Sequence, residues 1–430
     1  MSAPRRAAIG FALFTLAVDA LGIGLIIPIV PALVRELSGG DAAGASGWMG
    51  VLVSSFAATQ FLAAPVLGAL SDRFGRRPVI LLSVAGLGAN YVVLALAPSI
   101  GWLFLGRLLA GATSANISAT TAYIADLTPP EKRAARFGLV GATFGLGFVL
   151  GPALGGLLGA YGLRMPFEVA AGLAGANALF GLVMLPESLP PERRRPFLWR
   201  RANPIGSLGT LVADPVTARL SAAWCFTWFG LGALQSVFVL YTGLVLGWGT
   251  AENGAALAVS GLGSALVQGV LIRRVIVWLG ERRTFLAGCL FSAAGYATFA
   301  AAGHGWVIYV GMGLLAFGAL NTPSLRAMIS RRAGPERQGE MQGALAALQS
   351  LVSIGAPVIG ASLFGAFARP GAALHFPGAP MLLAALAYLA AARVAATVRP
   401  AALEGEFSPP SAPPAAPTAP GAAPAHGPAP

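Results

Sequence analysis

Two ionisable side chains stand inside long apolar runs of this sequence. Asp19 lies in the stretch ALFTLAVDALGIGLIIPIVP, residues 12–31, and Arg107 lies in the apolar run 101–125. Ionisable groups in apolar surroundings are costly, and they usually mark ion pathways or proton relays. We therefore interpret Asp19 as a proton acceptor and Arg107 as the partner that adjusts its charge state. A static ion pair is the alternative, although buried ion pairs are weak evidence for stability.

The elements that carry these residues are predicted to be membrane-spanning helices. The 430 residues are 56% hydrophobic and 10% charged, with a mean hydropathy of +0.74, whereas soluble domains are about 25% charged. The apolar runs are long enough to cross a bilayer, and they are continuous rather than alternating, which favours helices over a barrel. The sequence therefore predicts an all-α integral membrane protein with twelve transmembrane helices. The runs are 8–34, 46–70, 78–97, 101–125, 136–161, 166–186, 218–246, 253–273, 284–302, 305–329, 340–367 and 377–398.

Basic residues distinguish the two sides of the predicted bundle. Of the 28 Lys and Arg residues, all but four fall on the side that holds the N-terminus; Arg35, Arg164 and Arg369 lie opposite, and Arg107 lies within a helix. Because Lys and Arg concentrate on the cytoplasmic side, both termini are predicted to be cytoplasmic. A net charge of +12 could suggest a nucleic-acid partner, but its one-sided distribution follows the membrane rule, so no nucleic-acid partner is predicted. Counted from the N-terminal side at ~1.5 Å per residue, Asp19 lies ~16 Å deep and Arg107 ~21 Å deep, so we expect them to face one central cavity and to interact directly or through water.

A constant offset of 205 residues relates two parts of the chain. Chance matches among abundant glycines and prolines are the alternative, but six matches at one offset favour two six-helix units in the same orientation. We predict six-helix bundles over 1–186 and 218–398, a central cytoplasmic loop over 187–217 and a disordered Pro/Ala-rich tail over 399–430. The matches are Gly75 with Gly280, Pro130 with Pro335, Glu131 with Glu336, Gly138 with Gly343, Pro152 with Pro357 and Gly155 with Gly360.

The charges do not follow this repeat. The offset pairs Asp19 with Trp224, Asp72 with Val277 and Arg107 with Met312. We therefore expect the N-terminal half to carry the electrostatic machinery, and the C-terminal half to contribute mostly shape, aromatic rings and amides.

The segment GALSDRFGRRP, residues 68–78, joins the second and third predicted helices. Gly68 and Gly75 permit close approach and unusual backbone angles, and Asp72 stands among Arg73, Arg76 and Arg77. If only the arginines are considered, the simpler interpretation is a solvated cytoplasmic loop, in which Lys and Arg are common.

The whole string resembles the signature loop of the major facilitator superfamily, and the chain is similar within it to drug:proton antiporters of the tetracycline-efflux type. The similarity covers about residues 1–398, and it includes LGIGLIIPIVPALVREL, GRLLAGATSANISATTAYIADLTPPEKRAARFG, FGLGFVLGPALGG and LPES. It implies that Arg76 pairs with Asp126 and that Asp72 engages the neighbouring half in the outward-open state. The implied conformational latch comprises Gly68, Asp72, Arg73, Gly75, Arg76, Arg77 and Asp126.

Glycines recur every four residues in the fifth predicted helix, at Gly147, Gly151, Gly155 and Gly159. Small residues on one face let helices pack closely, and Pro152 adds a kink. Ordinary helix packing explains the pattern; the family resemblance adds a hinge between the halves, formed by Gly147, Gly151, Pro152 and Gly155.

The sequence departs from the tetracycline-efflux pattern at several polar positions. This group usually carries an acid in helix three, where this chain has Asn90, and another in helix nine, where this chain has Ser292 near that place; the histidine of helix eight is also missing. Gln60 and Asn321 are retained. These departures put specificity for a metal–tetracycline complex in doubt.

Several polar and aromatic residues are candidates for binding a substrate between the halves, although each could equally face a neighbouring helix. Phe226 and Phe238 are expected to form apolar walls. A mostly apolar cavity with few polar anchors suits a small amphiphilic substrate. The candidates are Gln60, Asn90, Asn116, Trp228, Gln235, Gln268 and Asn321.

The sequence has no phosphate-binding loop, catalytic triad or metal-ligand cluster, so neither an enzyme nor an ATP-driven pump is predicted. Three hypotheses remain: a proton-coupled exporter of tetracycline-like or other amphiphilic drugs, a proton-coupled exporter or facilitator of an endogenous metabolite, and a non-transporting receptor or scaffold. A buried protonatable site argues against the third. We expect a monomer in a bacterial-type inner membrane, with no cofactor and with the proton gradient as its energy source.

Overall fold

The computed structural model describes residues 3–114, 116–194, 196–197, 206–212, 214–332 and 334–399. Within these ranges the chain forms helices and no strand. Residues 400–430, which make up nearly all of the tail predicted to be disordered, lie outside the described residues.

Sixteen α-helices make up the described chain, eight on each side of the central segment. Short 3₁₀ helices at Pro191–Arg193 and Gly206–Leu211 lie in that segment, and a π-helical turn at Val267–Leu271 joins α11 to α12. The first eight are α1 (Ala3–Ile26), α2 (Val30–Leu37), α3 (Ala42–Phe74), α4 (Arg76–Leu96), α5 (Ile100–Ala112), α6 (Asn116–Leu127), α7 (Pro130–Tyr161) and α8 (Met165–Met184). The second eight are α9 (Pro215–Gln235), α10 (Phe238–Leu246), α11 (Thr250–Leu266), α12 (Ile272–Ala300), α13 (Gly305–Gly318), α14 (Asn321–Arg332), α15 (Gly334–Ala368) and α16 (Ala379–Ala396).

Several of the predicted spans are broken helices. Nine helical stretches of the described chain are long and apolar enough to cross a membrane, and α9 with α10, bent by 47°, makes a tenth. The predicted run 101–125 is divided into α5 and α6, while the runs 253–273 and 284–302 lie in one helical stretch that is kinked at Gly280. The count of twelve therefore stays a prediction.

The break between α5 and α6 has a local cause. The Thr113 hydroxyl donates to the backbone carbonyl of Leu109, and the Ser114 hydroxyl donates to that of Gly111. Short polar side chains that bond to nearby backbone groups compete with the helical ladder. The next described helix begins at Asn116, so the break sets the position of that amide.

The positions related by the offset of 205 share backbone features. Gly75 and Gly280 both have positive φ, 109° and 74°, and each ends one helical segment and begins the next. Pro152 and Pro357 both lie inside long helices. A β-carbon at Gly155 would overlap the carbonyl of Leu25 in α1, and one at Gly360 would overlap the carbonyl of Ala233 in α9.

The two halves contact each other at the end of the bundle opposite to the N-terminus. There α3 packs on α15 and α7 packs on α11. The Ser46 and Ser54 hydroxyls of α3 donate to the carbonyls of Ala361 and Ile354, at 3.0 and 2.5 Å. Towards the N-terminal end, Phe137 of α7 is exposed, and a β-carbon at Gly145 would meet nothing within 4 Å. The contacts described between the halves therefore lie at the end of the bundle opposite to the N-terminus, which we call the closed end.

Candidate functional site

Asp19 lies midway along α1 and is 3% exposed. The Asn116 side-chain amide donates a short hydrogen bond to Asp19 Oδ2, and the Thr120 hydroxyl fixes that amide by donating to Asn116 Oδ1 at 3.1 Å. Asp19 Oδ1 has no hydrogen-bond partner among the described residues. One carboxylate oxygen is therefore held by the start of α6, and the other is available to bind a proton.

Arg107 lies in α5, and its guanidinium carbon is 5.8 Å from the ring centroid of Phe56. The ion pairs of the described chain do not include Asp19 with Arg107 within 4.0 Å. Tyr91 is buried in α4, and its hydroxyl has no hydrogen-bond partner among the described residues. In this conformation the Asn116 amide, rather than a direct ion pair with Arg107, holds the acid, and this role of Asn116 was not predicted from the sequence.

The signature loop forms a charged cluster between α3, α4 and α6. The Arg76 guanidinium contacts Asp72 through Nη1 at 2.7 Å and Asp126 through Nε at 3.1 Å. It also donates to the Ser71 hydroxyl at 3.2 Å. Arg73 lies 5.0 Å from the ring of Phe74, outside this cluster.

Glu187, in the LPES segment after α8, accepts hydrogen bonds from the backbone N–H groups of Arg76 and Arg77, at 2.8 and 3.2 Å. These are the first two residues of α4, where unpaired N–H groups and the helix dipole favour an anion. Arg77 in turn donates to the carbonyl of Leu182 at 2.7 Å. The sequence showed Glu187 only as part of a family string, because its partner lies 111 residues away.

The glycine face of α7 packs against α1. A β-carbon at Gly147 would overlap Ala20, and one at Gly151 would lie 2.5 Å from the α-carbon of Gly24. Further along, Gly156 faces Thr250 and Gly254 of α11 across the boundary between the halves. The predicted hinge residues therefore pack tightly on the helix that carries Asp19.

Two adjoining cavities open within the C-terminal half. The larger, about 480 Å³, includes Trp228, Gln268 and Asn321 among its lining residues, and the smaller, about 230 Å³, includes Gln235 and Phe238. Both share Leu231, Ser260, Tyr296 and Leu315. The smaller cavity also touches Ile27, Phe148 and Pro152 of the N-terminal half, so it reaches the boundary between the halves.

The remaining substrate candidates lie elsewhere. Gln60 is half-buried, with its backbone close to Gly111, and Asn90 is fully buried in α4. Asn116 bonds to Asp19. Phe226 is 37% exposed and lines neither cavity.

Comparison with known proteins decides the family. Residues 12–357 match the family model of the Major Facilitator Superfamily. The chain belongs to the major facilitator superfamily. It is 40% identical to the class C tetracycline resistance protein of Escherichia coli, over 86% of this chain and 94% of that protein. It is 37% identical to the class G tetracycline resistance protein of Vibrio anguillarum, over 83% and 90%.

A solved structure agrees with this assignment. The crystal structure of the human organic anion transporter MFSD10 (TETRAN) superposes with a TM-score of 0.67 and 26% identity, over 92% of this chain and all of that one. The expected resemblance to the tetracycline-efflux group and the all-α membrane class are confirmed. This major facilitator protein is a transporter and not an enzyme.

The C-terminal half of the transporter contains an ion pair that the sequence did not predict. Glu281 and Arg331 form an ion pair, and they stand 205 residues after Arg76 and Asp126. The expectation that the C-terminal half contributes mostly shape, aromatic rings and amides therefore did not anticipate this ion pair. The offset of 205 relates Arg76 to Glu281 and Asp126 to Arg331, but the sequence does not show that the two residues of each pair are in contact.

A second ion pair joins α9 to α14. Asp214 caps α9 by accepting from the backbone N–H and hydroxyl of Thr217, and Arg332 donates to the same carboxylate at 2.8 Å. Burial opposes ionisation here, but the Thr217 hydrogen bonds and the Arg332 charge outweigh it, so the pKa of Asp214 lies below its usual value.

Arg326 is the functional candidate that sequence analysis overlooked. It was counted among the basic residues of the N-terminal side, but α14 continues to Arg332 and Arg326 lines the larger cavity. Its presence inside the predicted run 305–329 was the available signal, as it was for Arg107 in the run 101–125.

Proposed function

We propose that the transporter exports tetracycline-like or other amphiphilic drugs by exchanging them for protons through alternating access. The observation that carries the proposal is the buried Asp19 carboxyl, which has one oxygen bound to Asn116 and the other without a partner. A proton can bind that free oxygen without breaking a hydrogen bond. The names of the tetracycline resistance relatives support the class of substrate.

The packing around Asp19 connects its charge state to the relative position of the halves. Asp19 shares α1 with Gly24 and Leu25, on which Gly151 and Gly155 of α7 pack without space for a side chain. The same α7 contacts α11 of the other half through Gly156. A change at Asp19 that shifts α1 is therefore passed to the boundary between the halves, because such close backbone contacts cannot compress.

The closed end is the part that alternating access requires to open. The contacts described there are a few hydrogen bonds from serine and threonine hydroxyls to carbonyls, together with glycine-mediated packing. If the termini are cytoplasmic, the closed end faces away from the cytoplasm and the bundle opens towards it. The ion pairs of the Arg76 cluster then act as a latch, which breaks and forms again as the halves rock.

Transport into everted membrane vesicles with an imposed pH gradient, acid inside, tests the proposal. We expect gradient-driven uptake of tetracycline by the wild type, and proton release from the lumen on addition of the drug. Asp19→Asn is expected to lose gradient-driven uptake and to keep gradient-independent exchange of labelled for unlabelled drug. Asp41→Asn is the matched control, because Asp41 caps α3 at the closed end and asparagine is a similarly favoured N-cap residue.

Two outcomes contradict the proposal. Full gradient-driven uptake by Asp19→Asn removes Asp19 as the proton site. Failure of the wild type to move tetracycline or another amphiphilic drug favours the alternative, a proton-coupled exporter or facilitator of an endogenous metabolite on the same fold.

A further inference from the structure

We infer that Arg326 binds an anionic group of the substrate, so that the cavity in the C-terminal half selects aromatic anions and zwitterions over neutral and purely cationic molecules. This inference rests on the proposed drug export and specifies the chemistry of what is exported. It concerns a residue to which neither the signature loop nor the predicted proton site assigns a role.

The charge of Arg326 is not compensated inside the cavity. Among the described residues that line the two cavities, Arg326 is the only charged one and none is acidic. The ion pairs of the described residues leave Arg326 out, although they include Arg331 and Arg332 of the same helix. A guanidinium presents several donors in a planar fork that matches an oxyanion.

The guanidinium is held in place by an aromatic ring rather than by a counter-ion. The guanidinium carbon of Arg326 lies 5.5 Å from the ring centroid of Trp224, which is fully buried. Trp224 in turn contacts Trp228, with ring centroids 5.8 Å apart. A cation over a tryptophan face is attracted by the ring, and the ring accepts no hydrogen bond in the guanidinium plane. The donors of Arg326 therefore remain available to a ligand.

The surrounding cavity suits a flat ring attached to that anion. Trp228 forms part of its wall, and Tyr296 and Tyr388 are stacked on another side, with ring centroids 5.4 Å apart and planes at 27°. Asn321 and Gln268 add amides, with the Asn321 amide oriented by Ser292 at 3.2 Å. A volume of about 480 Å³ lies in the range of small-molecule sites.

The electrostatic asymmetry of the halves strengthens the assignment. Trp224 occupies the position that corresponds, 205 residues on, to Asp19. The N-terminal half thus has a buried acid where the C-terminal half has a ring beneath a cation. A purely cationic substrate would meet Arg326 without any acidic residue on the same cavity wall, whereas an anion would form a charge-assisted hydrogen bond.

Equilibrium binding to the purified, full-length transporter in detergent tests the inference without any proton gradient. The probes are 2-naphthylacetate and its neutral amide, 2-naphthylacetamide, which differ in charge at nearly equal size. We expect the wild type to bind the carboxylate at least about tenfold more tightly, since a hydrogen bond to a charged group is worth roughly that ratio. Arg326→Gln should equalise the two affinities, and Arg326→Lys should keep part of the preference.

The control variant is Arg219→Gln, which removes an exposed arginine of α9 that lines neither cavity. It should keep the full preference for the carboxylate. Binding of the amide to Arg326→Gln shows that this variant is folded. The inference is overturned if the wild type binds both probes equally or binds neither, or if Arg326→Gln keeps the preference.

The outcome is separable from that of the proposed function. Loss of carboxylate preference with intact gradient-driven transport would reject the role of Arg326 alone. A clear preference without gradient-driven drug transport would leave the anion site standing and reject the proposed proton-coupled export.

Discussion

Glu281 and Arg331 form an ion pair in the C-terminal half with the charges exchanged relative to Arg76 and Asp126, the pair 205 residues earlier. Both pairs join the helix after a positive-φ glycine to the end of a broken helix. The two halves therefore keep the contact and exchange its polarity. One difference remains: Arg76 also contacts Asp72, whereas the corresponding position holds Val277.

This difference predicts which pair tolerates a swap of its charges. The exchange Glu281→Arg with Arg331→Glu should retain most of the drug transport, because no third charge is described at position 277. Arg76→Glu with Asp126→Arg should stay as defective as Arg76→Glu alone, because the new carboxylate faces Asp72 four residues away. Initial uptake rates in everted vesicles, corrected for protein amount, measure both. Recovery of transport in the Arg76→Glu double variant would contradict the prediction.

The packing of α7 on α1 predicts a sharp contrast between two glycines of one helix. A β-carbon at Gly155 overlaps the carbonyl of Leu25, whereas one at Gly145 meets nothing within 4 Å. Gly155→Ala should destabilise the protein by about 1–3 kcal/mol through overpacking and lower its Tm in detergent. Gly145→Ala should leave the Tm unchanged or raise it, since alanine favours the helix. Equal Tm values for the two variants would show that α7 is not fixed on α1 in this way.

The closed end of the bundle predicts a reversible cross-link. A β-carbon at Gly365 would lie 3.0 Å from the Ser46 hydroxyl, so the two positions are close enough for a disulfide, whose β-carbons lie ~3.8 Å apart. With Cys225 and Cys289 replaced by alanine, the variant Ser46→Cys with Gly365→Cys should be blocked by oxidant and restored by reductant. Each single cysteine variant is the control. A cross-linked protein that transports at the full rate would show that this end does not need to open.

The low pKa of Asp214 predicts a stability that depends on pH. A carboxyl whose pKa is lowered in the folded state stabilises it above the unfolded value of about 3.9, and that stabilisation is lost as the pH falls through the folded pKa. Asp214→Asn keeps a cap on α9 but removes the carboxylate to which Arg332 donates. We expect the free energy of unfolding to fall by about 2 kcal/mol at pH 7.

Thermal denaturation of wild type and Asp214→Asn between pH 7 and pH 3.5 measures this effect. The gap between the two Tm values should be widest at pH 7 and should narrow below pH 4. Asp41→Asn provides the comparison, since Asp41 caps α3 through backbone N–H groups and joins none of the described ion pairs. A gap that stays constant across the range would argue against Asp214 as its source.

The repeat illustrates how far the sequence could lead. Matching glycines and prolines predicted two related units, and the positive φ at Gly75 and Gly280 shows why glycine recurs there. The same comparison applied to charges failed, because it tested Asp72 and not the contact between Arg76 and Asp126. When two halves keep a contact but exchange the positions of its charges, a comparison of residue types one position at a time does not detect it.

Hydropathy determined the class of this protein, because the cost of burying polar groups in a bilayer depends on each segment's own composition. The sequence therefore identified the all-α membrane class and the exceptional Asp19 and Arg107, and it predicted the number of spans and the sidedness. Only the tertiary structure decided that Asn116, 97 residues away, binds Asp19, and that Arg326 lines a cavity. Helices that are apolar all round carry no pattern that fixes their rotation, so packing against neighbouring helices determines which polar side chains meet.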